Sequence, residues 1–88
     1  MGVLSDESWR VQVFADGGWW WVHRPPKARG KIVLVKDRRI AASVGAVVYA
    51  HNTIKRVVAE NPKVGAWRIV ESKWGRDRVV GEGSTSEM

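Results

Sequence analysis

Three consecutive tryptophans, Trp19-Trp20-Trp21, follow a short Asp16-Gly17-Gly18 segment and lead into a basic stretch of the chain. Aspartate and glycine readily adopt the positive φ angles of a tight hairpin turn, so we expect the tryptophans on the returning strand. Successive side chains of a strand point to opposite faces. Only one face can pack into a single-layer core, so we expect at least one of these tryptophans to lie at a surface.

Strand periodicity separates Trp20 from its two neighbours but does not decide which face is buried. Trp20 shares its face with Arg24. Trp19 and Trp21 share theirs with His23, and a histidine is easier to bury than an arginine. We therefore expect Trp19 and Trp21 to pack beneath a helix and Trp20 to face outward beside Arg24.

The rest of the chain predicts further strands and one amphipathic helix. Alternating apolar and polar residues indicate strands, and apolar residues three and four positions apart indicate the helix. Ser43 is a suitable N-cap, and Asn61-Pro62 is expected to end the helix. A strand is the alternative for this valine-rich run. We expect strands at 9–14, 19–24, 32–35 and 66–74, a short edge at 79–80, and the helix at 43–60.

This order predicts an α+β fold, an antiparallel-rich sheet of about four strands with one amphipathic helix packed on one face (β-β-β-α-β). Residues 1–7 read as a loose lead, residues 8–80 as a single folded domain, and residues 81–88 as a polar, disordered tail. One helix covers one face of a sheet. The other face is expected to meet solvent or to bind a ligand.

Residues 8–80 are strongly basic. They hold all fifteen lysines and arginines of the chain against five acids, a net charge of +10. Solubility accounts for a net charge of roughly 2–8 in a small domain. A more basic body attracts polyanions, of which nucleic acid is the usual one and an anionic membrane or an acidic protein the rarer one.

Part of this charge is clustered next to the tryptophans. Arg24, Lys27, Arg29 and Lys31 lie around the stiff Pro25-Pro26 pair. Cations neutralise phosphates, and bases stack on aromatic rings, so this combination suits single-stranded nucleic acid. A solvated loop that keeps strand edges apart is the alternative. The candidate binding residues are Trp20, His23, Arg24, Lys27, Arg29, Lys31, Arg38 and Arg39.

The titratable residues do not form a pattern typical of catalysis. His51 lies in the apolar stripe of the helix, where a structural role is expected, and the acids of residues 8–80 include no close pair. The chain has two histidines and no cysteine, which falls short of a convincing metal-ligand set. We expect a non-enzyme without a metal or cofactor.

The cellular location follows from what the composition lacks. A chain without cysteine fits a reducing cytoplasm. No apolar run approaches the roughly 20 residues of a membrane-spanning helix. We therefore expect a cytoplasmic protein that does not enter a membrane.

The amino-acid composition and the order of the predicted elements resemble those of known groups of proteins. Fifteen valines and nine arginines stand against two leucines and six lysines, and six tryptophans occur in 88 residues, which is typical of a GC-rich genome. In overall appearance the chain resembles the small accessory proteins of actinobacteriophages. Over residues 8–60, three strands and a helix with Trp9-Arg10-Val11 opening the first strand also resemble the arm-type DNA-binding domains of tyrosine integrases. The Pro25-Pro26 loop and the fourth strand depart from that pattern.

Two functions remain open at this point. The first is a nucleic-acid-binding regulator that uses an aromatic and basic sheet face together with the loop. The second is a protein-binding effector, such as a phage product that disables a host protein through a tryptophan-rich patch. Oligomeric state and ligand identity have no signature in the sequence.

Overall fold

The computed structural model describes residues 7–24 and 31–87, which form one antiparallel sheet with a helix packed on it. The predicted α+β class is confirmed, with five strands where the sequence predicts about four. The elements are β1 (Ser8–Ala15), β2 (Gly18–His23), β3 (Val33–Val35), α1 (Val47–Glu60), β4 (Ala66–Lys73) and β5 (Arg76–Ser84), with single 3-10 turns at Arg38–Ile40 and Thr85–Glu87. The strand order across the sheet is β3-β2-β1-β4-β5.

The turn between β1 and β2 lies at Asp16-Gly17, as the sequence predicts. Asp16 has a φ of 51° and Gly17 a φ of 80°. Ala15 pairs with Gly18 across the turn. A two-residue turn with both φ angles positive matches the twist of the flanking strands, and these residue types adopt it readily.

Pairing across this hairpin places Trp20 on the helix side of the sheet. Trp20 lies opposite Val13, which is fully buried against α1. The indole Nε1 of Trp20 donates a hydrogen bond of 2.8 Å to the carbonyl oxygen of Ala15. The expectation that Trp20 faces outward, with Trp19 and Trp21 beneath the helix, is wrong. Residues opposite one another in a sheet share a face, so Val13 decides the side of Trp20.

The core lies between α1 and this helix-side face. Trp9 and Trp67 are partly buried and pack against it. Apolar burial of this kind is the main stabilising contribution in so small a domain. The buried residues of the core cluster are Val11, Val13, Ala15, Val22, Ala50, Ile54, Val57, Val64 and Ile69.

Helix α1 begins later than predicted and ends where predicted. It starts at Val47, and its N-cap is Ala46 rather than Ser43, without a side-chain capping bond. It ends at Glu60, just before Asn61-Pro62. The helix is therefore shorter than the spacing of the valines predicts.

The residues just before the helix form backbone hydrogen bonds with strands of the sheet instead. Val44 exchanges two backbone hydrogen bonds with Trp9, of 3.1 and 2.9 Å. The amide of Ala42 donates to the carbonyl of Val22 at 2.9 Å. Residues 42–44 thus lie between the ends of β1 and β2, where the two strands no longer pair with each other. These bonds satisfy backbone groups at the strand ends that would otherwise lack a partner. They stabilise the fold more than an extra helical turn at residues 43–46 would.

Strand β5 extends through Ser84, so the prediction of a disordered tail over residues 81–88 is wrong for this part of the chain. Gly83 lies opposite Trp67 in the pairing with β4. Because glycine has no side chain, the indole can lie over the backbone there, and this contact gives a polar segment a reason to be ordered. Beyond the strand, the Thr85 hydroxyl donates to a backbone carbonyl at 2.9 Å.

Candidate functional site

The sheet face turned away from α1, called the open face below, carries two of the three consecutive tryptophans. Trp19 lies opposite Phe14, and Trp21 lies opposite Gln12. On the other side of β1, Arg68 of β4 is also paired with Gln12. These five residues form the platform. Its tryptophans and Arg68 are half-buried, and Phe14 is exposed.

The centre of the platform is an arginine stacked on an indole. The Cζ atom of Arg68 lies 3.8 Å from the centre of the Trp19 ring. Its Nε donates to the Gln12 side-chain oxygen at 2.7 Å. The Phe14 ring meets Trp19 edge-on, with centroids 5.5 Å apart and planes at 71°. These contacts hold the rings and the guanidinium in a fixed arrangement, as cation–π and edge-to-face pairs do.

Within residues 7–24 and 31–87, Arg68 is not paired with an acid. Among the described residues no carboxylate lies within ion-pair distance of its guanidinium. Glu82 is its partner in the β4–β5 pairing, and the two side chains make no ion pair. The guanidinium nitrogens that do not face Gln12 are therefore free to donate to an anion.

Trp21 occupies the neighbouring part of the open face. It lines a pocket of about 240 Å³ together with Gln12 and Arg68 of the platform. Val70 lies on the same face and is only 4% exposed, so the surface around Trp21 covers it. The pocket also includes Asp77, Arg78 and Val79, so polar and apolar side chains line it in about equal measure.

The 3-10 turn Arg38–Ile40 is tied to β5 by an ion pair. Arg38 donates two hydrogen bonds to the Asp77 carboxylate, from Nε at 2.5 Å and from Nη2 at 2.6 Å. The Ser72 hydroxyl adds a bond of 2.6 Å to Asp77, and Arg10 donates to Ser72 at 2.9 Å. The Arg38 guanidinium and the Ser72 hydroxyl hold the pKa of Asp77 below its usual value, although partial burial opposes the shift. Arg38 is therefore committed to the fold.

Two other predicted site residues make contacts in the same segment: Arg39 is part of the turn, and His23 reaches it from the end of β2. His23 Nδ1 lies 2.6 Å from the carbonyl oxygen of Ile40, which accepts from the protonated ring nitrogen. Arg39 pairs with Asp37 at 3.1 Å, and the side-chain hydrogen bond from Arg39 lowers the pKa of Asp37. The Arg39 side chain is 86% exposed. His23 thus anchors the segment, and Arg39 remains accessible to a ligand.

Of the remaining predicted site residues, Trp20 and Arg24 lie on the helix side, away from the platform. Trp20 is on the helix side, so it is not an outward binding residue of the open face. Arg24 is exposed and lines a pocket of about 380 Å³ beside α1, and Lys31 is exposed where the chain re-enters the described region. Lys27 and Arg29 lie outside the described residues.

Sequence reasoning missed most of the platform. It placed Trp19 and Trp21 in the core, and it did not single out Phe14, Gln12 or Arg68 as candidates. A usable signal was present: the two-residue turn fixes which residues of β1 and β2 face each other. That pairing places Trp19 and Trp21 on the same face of the sheet as the polar residues of β1.

His51 is exposed on α1, and its ring meets Trp67 edge-on with centroids 5.6 Å apart. Within residues 7–24 and 31–87, no group of three or more histidine and acidic side chains is close enough to hold a metal ion. The same residues include no helix long and apolar enough to cross a membrane.

Comparison of the chain with protein-family models, with curated proteins and with solved structures gives no match.

Proposed function

We propose that this protein binds single-stranded nucleic acid on the open face of its sheet and catalyses no reaction. The observation that carries the proposal is the Arg68 guanidinium stacked 3.8 Å over Trp19 on a face that α1 does not cover. Aromatic faces stack with bases at about 1–3 kcal/mol each, and an adjacent guanidinium pairs with phosphate. A sheet face that combines both groups suits a strand whose bases are unpaired.

The overall charge supports the same ligand. Residues 8–80 carry a net charge of +10, and exposed cations flank the sheet at Arg24, Lys31 and Lys36. Each phosphate neutralised by such a cation releases counterions, which drives association with nucleic acid at low salt. The positive charge of the domain attracts the single-stranded nucleic acid, and the platform binds its bases.

A single strand fits the platform better than a duplex does. The platform presents the stacked Arg68–Trp19 pair and the half-buried Trp21 ring at the level of a sheet, whereas bases inside a duplex are stacked on one another. Only unpaired bases expose a face to a flat aromatic surface. A cytoplasmic regulator or accessory protein, of phage or bacterial origin, is the biological role that we propose from composition and size.

The test is a titration of labelled single-stranded DNA and RNA in salt from about 50 to about 200 mM. Arg68→Gln removes the platform cation, and Lys63→Gln removes one exposed charge near the C-terminal end of α1. We expect Arg68→Gln to weaken binding and to reduce the salt slope by about one. Lys63→Gln should change neither quantity by a comparable amount.

Equal effects of the two variants would show that binding depends on general surface charge and would contradict the platform. A wild-type protein that binds neither DNA nor RNA at low salt would contradict the proposed function itself. Circular dichroism of both variants verifies that each remains folded.

A protein partner is the second candidate, and one observation favours it. Val47, Val48 and Tyr49, at the start of α1, are 43%, 54% and 57% exposed. A patch of exposed apolar residues marks a protein interaction site, and these three residues occupy the first turn of the helix. Binding through this surface would depend little on salt and would be lost in Tyr49→Ser but not in Arg68→Gln.

A further inference from the structure

The second two-residue hairpin turn of the described chain carries a tryptophan where its geometry favours asparagine or glycine. Trp74 has a φ of 54° and Gly75 a φ of 76°, and Lys73 pairs with Arg76 across them. The β1–β2 hairpin makes the same kind of turn with Asp16, a residue that tolerates a positive φ. A bulky aromatic residue in this conformation is an outlier, and such outliers cluster at functional sites.

Packing does not explain this residue either. Trp74 is 68% exposed, the largest fraction among the exposed large hydrophobic residues of the described chain. Neither the turn nor the core gains from an indole at the tip of a hairpin. A ligand that covers the ring would account for its presence.

The side chains around Trp74 indicate the charge of that ligand. Lys73 and Arg76 are exposed and make no ion pair with any described residue. Arg78 pairs with Glu71 at 3.4 Å and is still 75% exposed. The other acid here, Asp77, is engaged by the 3-10 turn. Trp74 and these residues line a concavity of about 670 Å³, which is therefore cationic with one aromatic wall.

We propose that the β4–β5 hairpin tip is a second nucleic-acid contact, in which Trp74 stacks on a base while Lys73 and Arg76 pair with the flanking phosphates. This inference rests on the proposed function and extends it to a longer strand. A membrane surface fits less well, because interfacial membrane binding needs a broad apolar face and Trp74 is the one apolar side chain of residues 73–76.

Strand β4 sets the distance between the two contacts. Arg68, at the centre of the platform, lies in β4 itself, six residues before the tip at Trp74. At roughly 3.3 Å per residue this separation is about 20 Å. A short oligonucleotide can occupy the platform alone, whereas a longer one reaches both contacts.

The experiment compares oligothymidylates of about 4 and about 16 nucleotides, the range that small single-strand-binding domains cover. Trp74→Asn removes the indole and keeps a residue suited to the turn. Asp16→Asn is the matched control, because it makes a similar change at the tip of the β1–β2 hairpin. We expect Trp74→Asn to weaken binding of the long oligonucleotide by about fivefold or more, as loss of one stacked base does, and to leave the short one unchanged.

Other outcomes separate the two proposals. If Trp74→Asn binds both lengths like the wild type, the hairpin contact is wrong and the platform stands. If the wild type binds neither length, the proposed function fails and the hairpin contact with it. Trp74-dependent binding to vesicles of phosphatidylserine and phosphatidylcholine, with no binding to the oligonucleotides, would identify a membrane contact and overturn the inference.

Discussion

Trp67 lies so close to Gly83 that a Cβ atom at that glycine would be 2.6 Å from Cζ2 of the indole. On its other side the indole meets the ring of His51 on α1. One tryptophan therefore connects the helix with β5 across the edge of the sheet. The contact explains why a glycine-rich segment is a strand, because only a residue without a side chain leaves room for the ring.

We expect Gly83→Ala to lower the free energy of unfolding by about 1–3 kcal/mol, the usual cost of overpacking. The added methyl group would have to displace the rigid indole of Trp67. Gly65→Ala is the control, since a Cβ atom there meets nothing within 4 Å. Urea denaturation of both variants measures the difference, and equal stabilities would show that Trp67 does not need the glycine.

The reversed assignment of the tryptophans shows what strand periodicity leaves undetermined. Periodicity places Trp20 on the opposite face from Trp19 and Trp21. Which of the two faces packs against the helix is decided by the residues of β1 that pair with them. The Asp16-Gly17 turn implies that Val13 faces Trp20, and Val13 belongs to the apolar side of its strand. The charge of neighbours on the same strand, such as Arg24 and His23, says little about burial at a strand end.

The corrected faces give opposite expectations for two tryptophans. Trp20→Ala should cost about 2–3 kcal/mol of stability, somewhat less than a fully buried aromatic residue, because Trp20 is partly buried against the core. Trp19→Ala should cost about 1 kcal/mol, the value of an aromatic pair, and should weaken binding of single strands. Thermal melts and oligonucleotide titrations of the two variants measure both. If Trp20→Ala remains stable and Trp19→Ala unfolds, Trp19 rather than Trp20 is the core residue, which contradicts the assignment of the faces.

The link between the 3-10 turn and β5 had no signal in the sequence. Arg38 and Asp77 are 39 positions apart and belong to segments without periodicity. Their meeting depends on how residues 36–41 run past the sheet, which local patterns do not encode. The first four strands and the end of the helix follow from local apolar spacing, whereas a polar contact between distant segments follows only from the assembled fold.

This ion pair predicts a dependence of stability on pH. The pKa of Asp77 is lower in the folded protein than in the unfolded chain, chiefly through its hydrogen bonds with Arg38. Its contribution is therefore fully present above the unfolded value near 4 and is lost as the pH falls through the folded value. We expect Asp77→Asn to cost about 1 kcal/mol at pH 7, with allowance for its partial exposure, and to cost progressively less below about pH 4.

Urea denaturation of the wild type and Asp77→Asn between pH 7 and the acid range measures this convergence. Glu60→Gln serves as the control, because it removes a carboxylate from an exposed helical pair with Arg56. Such pairs contribute about 0.3–0.5 kcal/mol. A difference between wild type and Asp77→Asn that stays constant into acid would show that the carboxylate charge does not stabilise the fold.

The two hairpin turns allow a swap that measures the cost of Trp74. A non-glycine residue in the left-handed region is disfavoured by roughly 1–2 kcal/mol, and asparagine and aspartate tolerate it best. Trp74→Asn should therefore raise the free energy of unfolding by about 1 kcal/mol, which corresponds to a rise of about 4–8 °C in Tm for a domain of this size. Asp16→Trp, which places the indole in the same kind of turn at the β1–β2 hairpin, should lower it by a similar amount. If Trp74→Asn is instead less stable than the wild type, the indole stabilises the hairpin, and its exposure at the tip no longer requires a ligand.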